Sequence, residues 1–326
     1  MIRIVQPGPQ CTVQDLGRKG LRKIGVGVVG ALDTFALRIA NIMVGNGEGA
    51  AGLECTLGGT EIVFEQETTF ALTGADPAAT LDGLPVPAWW VRVAPQGATL
   101  KLAMPRSGMR SYIAFAGGLD VPLVIGSRST DLKGGFGGHN GRALCAGDQI
   151  GIVKTGSGSG VQGAGFGLAP ARLGLQPVER SQATDVRFVA AAEWTELKAS
   201  SRDLFTSTDW RIEPDSNRVG YRFTGAPLEL ARPLELLSHG ILPGTIQLPP
   251  SGLPMVQMGD ANTCGGYPKL GVVISADLPK LAQASLGTAV RFSECTVDEA
   301  RSAGAEVEAR LQHITRCIDL AKRMAA

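Results

Sequence analysis

Short runs of alternating apolar and polar residues fill the first half of the chain. They include Glu61-Ile-Val-Phe, Thr69-Phe-Ala-Leu-Thr, Trp89-Trp-Val-Arg-Val, Thr99-Leu-Lys-Leu and Ser111-Tyr-Ile-Ala-Phe. Several have period two, which puts successive side chains on opposite faces of an extended strand. They recur about every 8–12 residues, the spacing of a closed or sandwiched β architecture. Similar runs return at Asp185-Val-Arg-Phe-Val, Val272-Val-Ile-Ser and Ala289-Val-Arg-Phe. Two stretches break the alternation. After Asp33, a capping residue, Leu37, Ile39, Ala40 and Met43 predict a helix that Gly45 closes. From about Val297, the steps Val307, Leu311, Ile314, Ile318 and Ala321 predict an amphipathic C-terminal helix.

These elements predict a mainly β protein with a few helices. Residues 1–155 read as a first unit, 156–183 as a Gly/Pro-rich linker or excursion, 184–295 as a second unit and 296–326 as the helix. Both halves close alike. Leu144-Cys-Ala-Gly-Asp-Gln-Ile-Gly-Ile and Leu286-Gly-Thr-Ala-Val-Arg-Phe each set a glycine turn before a strand, a hint of two related β-barrel units.

Composition narrows the function classes. The 326 residues suffice for a buried core without disulfide or metal staples. Glycine contributes 44 of them, roughly twice ordinary usage, as a turn-rich β protein requires. Lys plus Arg number 31 against 30 Asp plus Glu, so no bulk charge draws the chain to nucleic acid or an anionic membrane. Six scattered cysteines and three histidines (His139, His239, His313) show no zinc-binding spacing. No apolar run reaches the ~18 residues of a membrane span. The start, Met1-Ile-Arg-Ile-Val-Gln-Pro, has no signal-peptide h-region. Together these predict a cytoplasmic protein with free thiols.

Most familiar catalytic signatures are missing. Gly25-Val-Gly-Val-Val-Gly30 fits GxGxxG, but the polar Lys19-Gly-Leu-Arg-Lys-Ile precedes it where a dinucleotide fold needs a buried strand, so it reads as a turn. Cys264 sits in a polar glycine loop and reads as a small loop residue, not a nucleophile.

Two segments concentrate polar groups. The first runs from Gly126 to Arg142: Ser127, Arg128, Ser129 and Thr130, then Lys133, then Gly134, Gly135, Gly137 and Gly138. Arg forks and clustered N–H groups suit phosphate or carboxylate oxygens, and the same composition also suits a plain turn-rich loop. The second spans Pro243–Pro254 and Gly259–Lys269, with Asp260 at a strand end where a carboxylate can face a cleft or serve a turn.

These segments carry a family resemblance. Thr12-Val-Gln-Asp-Leu-Gly-Arg18, Gly30-Ala-Leu-Asp33, Ala40-Asn-Ile-Met-Val-Gly-Asn46, Ser127-Arg-Ser-Thr130 and Gly135-Phe-Gly-Gly138 contribute, as do Ser216-Asn-Arg-Val-Gly-Tyr-Arg222, Pro243-Gly-Thr-Ile-Gln-Leu-Pro-Pro250 and Gly265-Gly-Tyr-Pro268. The chain resembles the family that comprises the C subunit of 5-oxoprolinase, KipA and allophanate hydrolase subunit 2, also named the biotin-dependent carboxyltransferase family. One departure is Cys264, where the family usually has a hydroxyl residue.

The resemblance implies two cyclophilin-like β-barrel units. It implies partners too: a KipI-like B subunit, and an A subunit for the full reaction. That reaction opens the lactam of 5-oxoproline to L-glutamate with ATP, expected as its Mg complex. Phosphorylating a poorly electrophilic amide oxygen makes it a leaving group, and donors must meet the developing charge. The candidates are Arg18, Arg128, Arg142 and the Gly134–Gly138 loop, with Ser127, Ser129, Thr130, Gln247, Thr263 and Tyr267 as further substrate or ATP contacts. Asp33 or Asp260 is expected to act as base or to hold the metal with ATP. Arg128→Ala and Asp260→Ala are expected to lose turnover and keep the fold.

Urea carboxylase relatives imply a second reading, carboxyl transfer from carboxybiotin to urea or a similar acceptor. Biotin would sit on another chain, because no lysine here lies between methionines. A third reading is a regulatory partner of a kinase inhibitor, without chemistry of its own.

Overall fold

A computed structural model describes residues 1–153, 165–173, 178 and 182–325. Most of the linker expected over 156–183 lies outside the described residues. The chain divides into two compact units. Met1–Gly17, Asp33–Pro177 and Ala309–Ala326 form the first, and Arg18–Leu32 with Val178–Glu308 form the second. Arg18–Leu32, placed in the first unit by sequence, therefore belongs to the second.

Among the described residues the first unit holds thirteen strands: β1 (Ile2–Pro7), β2 (Gln10–Gln14), β3 (Gly52–Thr56), β4 (Thr60–Phe64), β5 (Thr68–Asp76), β6 (Ala79–Leu81), β7 (Leu84–Val86), β8 (Trp90–Ala94), β9 (Thr99–Leu102), β10 (Ser107–Phe115), β11 (Leu119–Asp120), β12 (Gln149–Ile152) and β13 (Phe166–Gly167). They form two sheets, ordered β11-β12-β1-β4-β9-β6-β7 and β13-β8-β5-β10-β3-β2. Ile4, Ile62, Phe64 and Ile150 from one sheet and Val13, Leu53, Phe70 and Phe115 from the other share a single buried core. Alternation explains it, because Leu53 and Cys55 turn inward while Glu54 between them takes the other face.

Helix α1 (Thr34–Val44) begins and ends as its sequence predicts. Asp33 Oδ1 accepts the Ala36 amide at 2.9 Å, and Gly45 closes the helix at φ +84°. Its burial is more complete than a one-sided pattern suggests, from Phe35 through Val44 with Arg38 the exception.

The second unit contains β14 (Thr184–Ala190), β15 (Trp210–Ile212), β16 (Gly220–Thr224), β17 (His239–Gly240), β18 (Thr245–Gln247), β19 (Met255–Gln257), β20 (Cys264–Gly265), β21 (Lys269–Val273) and β22 (Ala289–Glu294), with helices α2 (Ala199–Ser207) and α3 (Leu278–Gln283). Seven of these strands close a barrel in the order β14-β21-β18-β19-β16-β15-β22. Parallel pairing of Thr184–Phe188 with Val290–Glu294 seals it. Phe188, Phe205, Trp210, Phe223 and Phe292 fill the core, with Phe205 stacked on Phe292 at 4.9 Å between ring centres. Strands β17 and β20 form a separate two-stranded ribbon.

The expected glycine turns precede β12 and β22, at Gly147 (φ +91°) and Gly287 (φ +80°). Helix α4 (Val297–Ala325) starts on a capping box, in which Thr296 Oγ1 accepts the Glu299 amide and Glu299 Oε2 accepts the Thr296 amide. Leu311, Ile314 and Ile318 line its buried stripe. Ahead of Gly25, Arg22–Ile24 form a 3-10 turn instead of a strand, as the turn reading requires. Among the described residues no helix is long and apolar enough to cross a membrane.

Candidate functional site

In the first unit, the polar segment folds around one carboxylate. Asp15, at the end of β2, accepts the hydroxyls of Ser127 and Ser129 at 2.6 Å each, the Arg128 amide at 2.6 Å and the Gly17 amide at 2.8 Å. Ser127 and Ser129 are fully buried, and Thr130 bonds the Val13 carbonyl. These hydroxyls fasten the loop to β2 and do not face solvent. Arg128 is exposed, its Nε donating to Val121 O at 3.1 Å.

The glycines serve this architecture. The Gly134 amide donates to Asp131 Oδ1, Gly135 to Asp131 O and Gly138 to Arg128 O. A Cβ on Gly138, already at φ +53°, would fall 1.9 Å from Thr130 Oγ1. Gly138→Ala is therefore expected to lose about 2–4 kcal/mol from strain and overlap together, read as a lower denaturation midpoint.

Arg142 likewise serves the fold. Its Nη1 and Nη2 meet Asp148 Oδ2 and Oδ1 at 2.7 and 2.8 Å. That fork, helped by the Cys145 amide, holds the Asp148 carboxyl down to about 2. A carboxyl lower in the folded than in the unfolded chain stabilises above its ordinary value and loses that contribution as pH falls. Asp148→Asn should cost about 1 kcal/mol near neutral pH, reduced by the 42% exposure of Arg142, and the gap from wild type should close between about pH 4 and pH 2. Urea midpoints across that range check it.

The Ser127 and Ser129 hydroxyls and the Gly134, Gly135 and Gly138 amides are thus spent within the fold. The two carboxylates are also engaged. Asp33 caps α1, and its amide donates to Tyr112 Oη, which in turn donates to buried Glu54 at 2.8 Å. Asp260 forms a two-pronged pair with Arg218 in the second unit, at 3.0 Å to Nε and 2.7 Å to Nη2. Both partners are almost completely buried, and Arg218 Nη2 also donates to Gly30 O. Asp260 is a structural counter-ion here, which revises the expectation that its removal leaves the fold intact. Arg18 is buried, its amide bonded to Val28 O. No group of three or more metal-ligating side chains occurs among the described residues.

The second unit gathers chemistry elsewhere. Ile246, Val256 and Leu270 point into the barrel core, so Gln247, Gln257 and Lys269 beside them project from its outer face. Gln257 Nε2 donates to Gln247 Oε1 at 2.7 Å. This fixes the Gln247 amide and leaves its Nε2 buried without a hydrogen-bond partner among the described residues. Cross-strand pairing sets Lys269 opposite Gln247. The ribbon brings His239 onto Lys269, with Nζ in contact with His239 Nε2. His239 Nδ1 lies 2.9 Å from the Leu237 carbonyl, which only accepts, so Nδ1 carries the proton and Nε2 offers its lone pair to Nζ. Burial lowers the Lys269 ammonium below its ordinary value, against the opposing pull of Glu193.

An amine, an imidazole lone pair, the carbonyl that orients it and a buried amide donor thus occur together. Of the residues picked from sequence, Gln247 belongs to this cluster. Thr263 accepts the Ile241 amide through its carbonyl, and Tyr267, two residues before Lys269 in the chain, is exposed. Sequence reasoning did not single out Lys269, His239, Gln257, Arg218 or Asp15 as site or anchoring residues. The one available signal was position, since Asp15 and Lys269 lie inside or beside the segments that carry the resemblance.

The chain is thus a mainly β protein whose closed barrel carries a lysine–histidine pair beside a buried amide donor on its outer face. The model of the carboxyltransferase domain, subdomains A and B, matches residues 24–294, and the chain belongs to that family. It is 43% identical to the C subunit of 5-oxoprolinase from Escherichia coli, over 93% of this chain and 94% of the relative. To the C subunit of 5-oxoprolinase from Haemophilus influenzae it is 39% identical, over 98% and 99%. The crystal structure of K. lactis urea amidolyase superposes with a TM-score of 0.88 at 27% identity, over 96% of this chain and 20% of that one.

Proposed function

We propose that this chain is the C subunit of an ATP-dependent 5-oxoprolinase, working with a KipI-like B subunit and an A subunit to open 5-oxoproline to L-glutamate in the cytoplasm. The observation that carries this is extent. The chain matches C subunits of 5-oxoprolinase over 94% and 99% of their length, whereas it covers a fifth of the urea amidolyase chain. Six unbridged cysteines, two of them 3.4 Å apart in the first core, suit a reducing compartment.

The chemistry assigned to this chain rests on the second-unit cluster. Opening a lactam needs a donor at the carbonyl oxygen and a group that moves protons at the ring nitrogen or the attacking water. Gln247 Nε2 supplies the first, and the Lys269–His239 pair supplies the second. ATP contributes phosphoryl activation of the amide oxygen when bound. Because the glycine loop is engaged internally, the nucleotide is assigned to the partner subunits.

ADP release by the reconstituted complex, with and without 5-oxoproline, tests the reading. The expected result is a substrate-dependent rise that requires this chain and its partners together. An intact complex with no such rise would overturn it. Transfer of a carboxyl group from carboxybiotin on another chain is the second reading, favoured by the family match and the urea amidolyase fold. Consumption of carboxybiotin with a small amide acceptor, without ADP release, would select it.

A further inference from the structure

The lysine–histidine pair has a property beyond lactam opening, and it needs neither partner nor nucleotide. Lys269 is largely buried on the outer face of the barrel. Its neighbour His239 has a lone pair aimed at it, set by the Leu237 carbonyl. Among the described residues, no protein atom accepts from the N–H groups of Gln247 Nε2. A buried donor left unpaired is unfavourable, so something that accepts from it is stabilised there. Gly265 packs closely against this donor, since a Cβ at that position would lie 2.6 Å from Gln247 Nε2, and only glycine leaves the amide in place.

We propose that Lys269 is a carbon dioxide-binding site, its Nζ forming a carbamate that Gln247 Nε2 and protonated His239 hold. The neutral amine attacks the carbon of dissolved carbon dioxide. An N–C bond forms, one C=O π pair moves onto oxygen, and the proton released from Nζ passes to His239 Nε2. Lysine amine plus carbon dioxide thus gives a lysine carbamate and one proton, with no oxidant or reductant. The new carboxylate accepts from Gln247 Nε2 and from the histidine N–H. A burial-depressed amine is more often neutral, which favours the attack, and Glu193 opposes that tendency. Charge changes from a neutral amine to an anion paired with imidazolium, so the carbamate keeps a counter-ion beside it.

The test uses the full-length chain equilibrated with [13C]bicarbonate at mildly alkaline pH and observed by 13C NMR. A protein-bound carbamate carbonyl signal is expected in the wild type, absent in Lys269→Arg. Gln247→Leu should weaken carbon dioxide uptake about tenfold, as loss of a charge-assisted hydrogen bond would. Trapping the wild-type carbamate with a trialkyloxonium reagent and mapping the peptides removes dependence on the variants' folding. Label on the Lys269 peptide is the supporting result. No wild-type signal, a signal surviving in Lys269→Arg, or label confined to another amine such as the Met1 α-amino group would overturn the proposal. Unchanged uptake in Gln247→Leu would overturn the donor's role. Each result is independent of ADP release by the complex.

Discussion

Asp260→Ala is expected to unfold the second unit, not to leave a folded and silent protein. The carboxylate is 3% exposed, its guanidinium partner Arg218 2%, and two hydrogen bonds join them. Removing one member strands a cation where water cannot replace the lost partner, at a cost of about 3–5 kcal/mol. That is a large share of the total stability of an ordinary domain. The damage extends beyond the pair. Arg218 Nη2 also holds the Gly30 carbonyl, and Arg218 O accepts the Asp260 amide, so the Arg18–Leu32 segment is tied to the same point. Denaturant titration followed by circular dichroism reads the loss directly. Replacing both partners with apolar residues of similar size should recover most of the stability, because no charge is then left unpaired. If the single variant unfolds at the wild-type midpoint, the assignment of Asp260 to structure is wrong and a role as base returns.

The prediction inverts a sequence-based expectation, and the reason is physical. A carboxylate at a strand end looks the same in sequence whether it faces a cleft or an arginine 42 residues away. The same ambiguity governs Ser127, Ser129 and Arg142. Their composition suits an anion, and the anions they find are the chain's own Asp15 and Asp148. What sequence did convey was local. The alternation, the Asp33 cap, the Gly45 stop and the turn glycines before the closing strands all depend on neighbours along the chain. Cross-strand register does not. Nothing local places Lys269 opposite Gln247, or brings His239 from a separate ribbon to the lysine. Barrel closure and one core shared between two sheets are non-local in the same sense.

Non-locality also separates activity from stability at Lys269, which gives the second large effect. Lys269→Met keeps the length of the side chain and removes the amine. If the pair moves protons in the reaction, turnover of the complex should fall about 10²–10⁴-fold. Stability should move in the other direction. Burial depresses the folded-state value of this lysine below its ordinary 10.5, so between those two values the unfolded chain binds the proton more readily. Stability of the wild type therefore rises with pH across that window, and below it the protonated lysine is a net burden on the fold. The methionine variant lacks that burden. It should be at least as stable as wild type at neutral pH, with any advantage shrinking as pH approaches the ordinary lysine value. His239 is exposed and can bond water at Nε2 when the amine is gone, so its loss of a partner is mild. A residue kept only for packing would lose stability on replacement, and activity would follow it down. The combination of lost turnover and retained or increased stability marks a group held in an unfavourable place for its chemistry. Steady-state ADP release and urea midpoints on the same Lys269→Met preparation decide the matter. Parallel losses in both would reduce Lys269 to a structural residue.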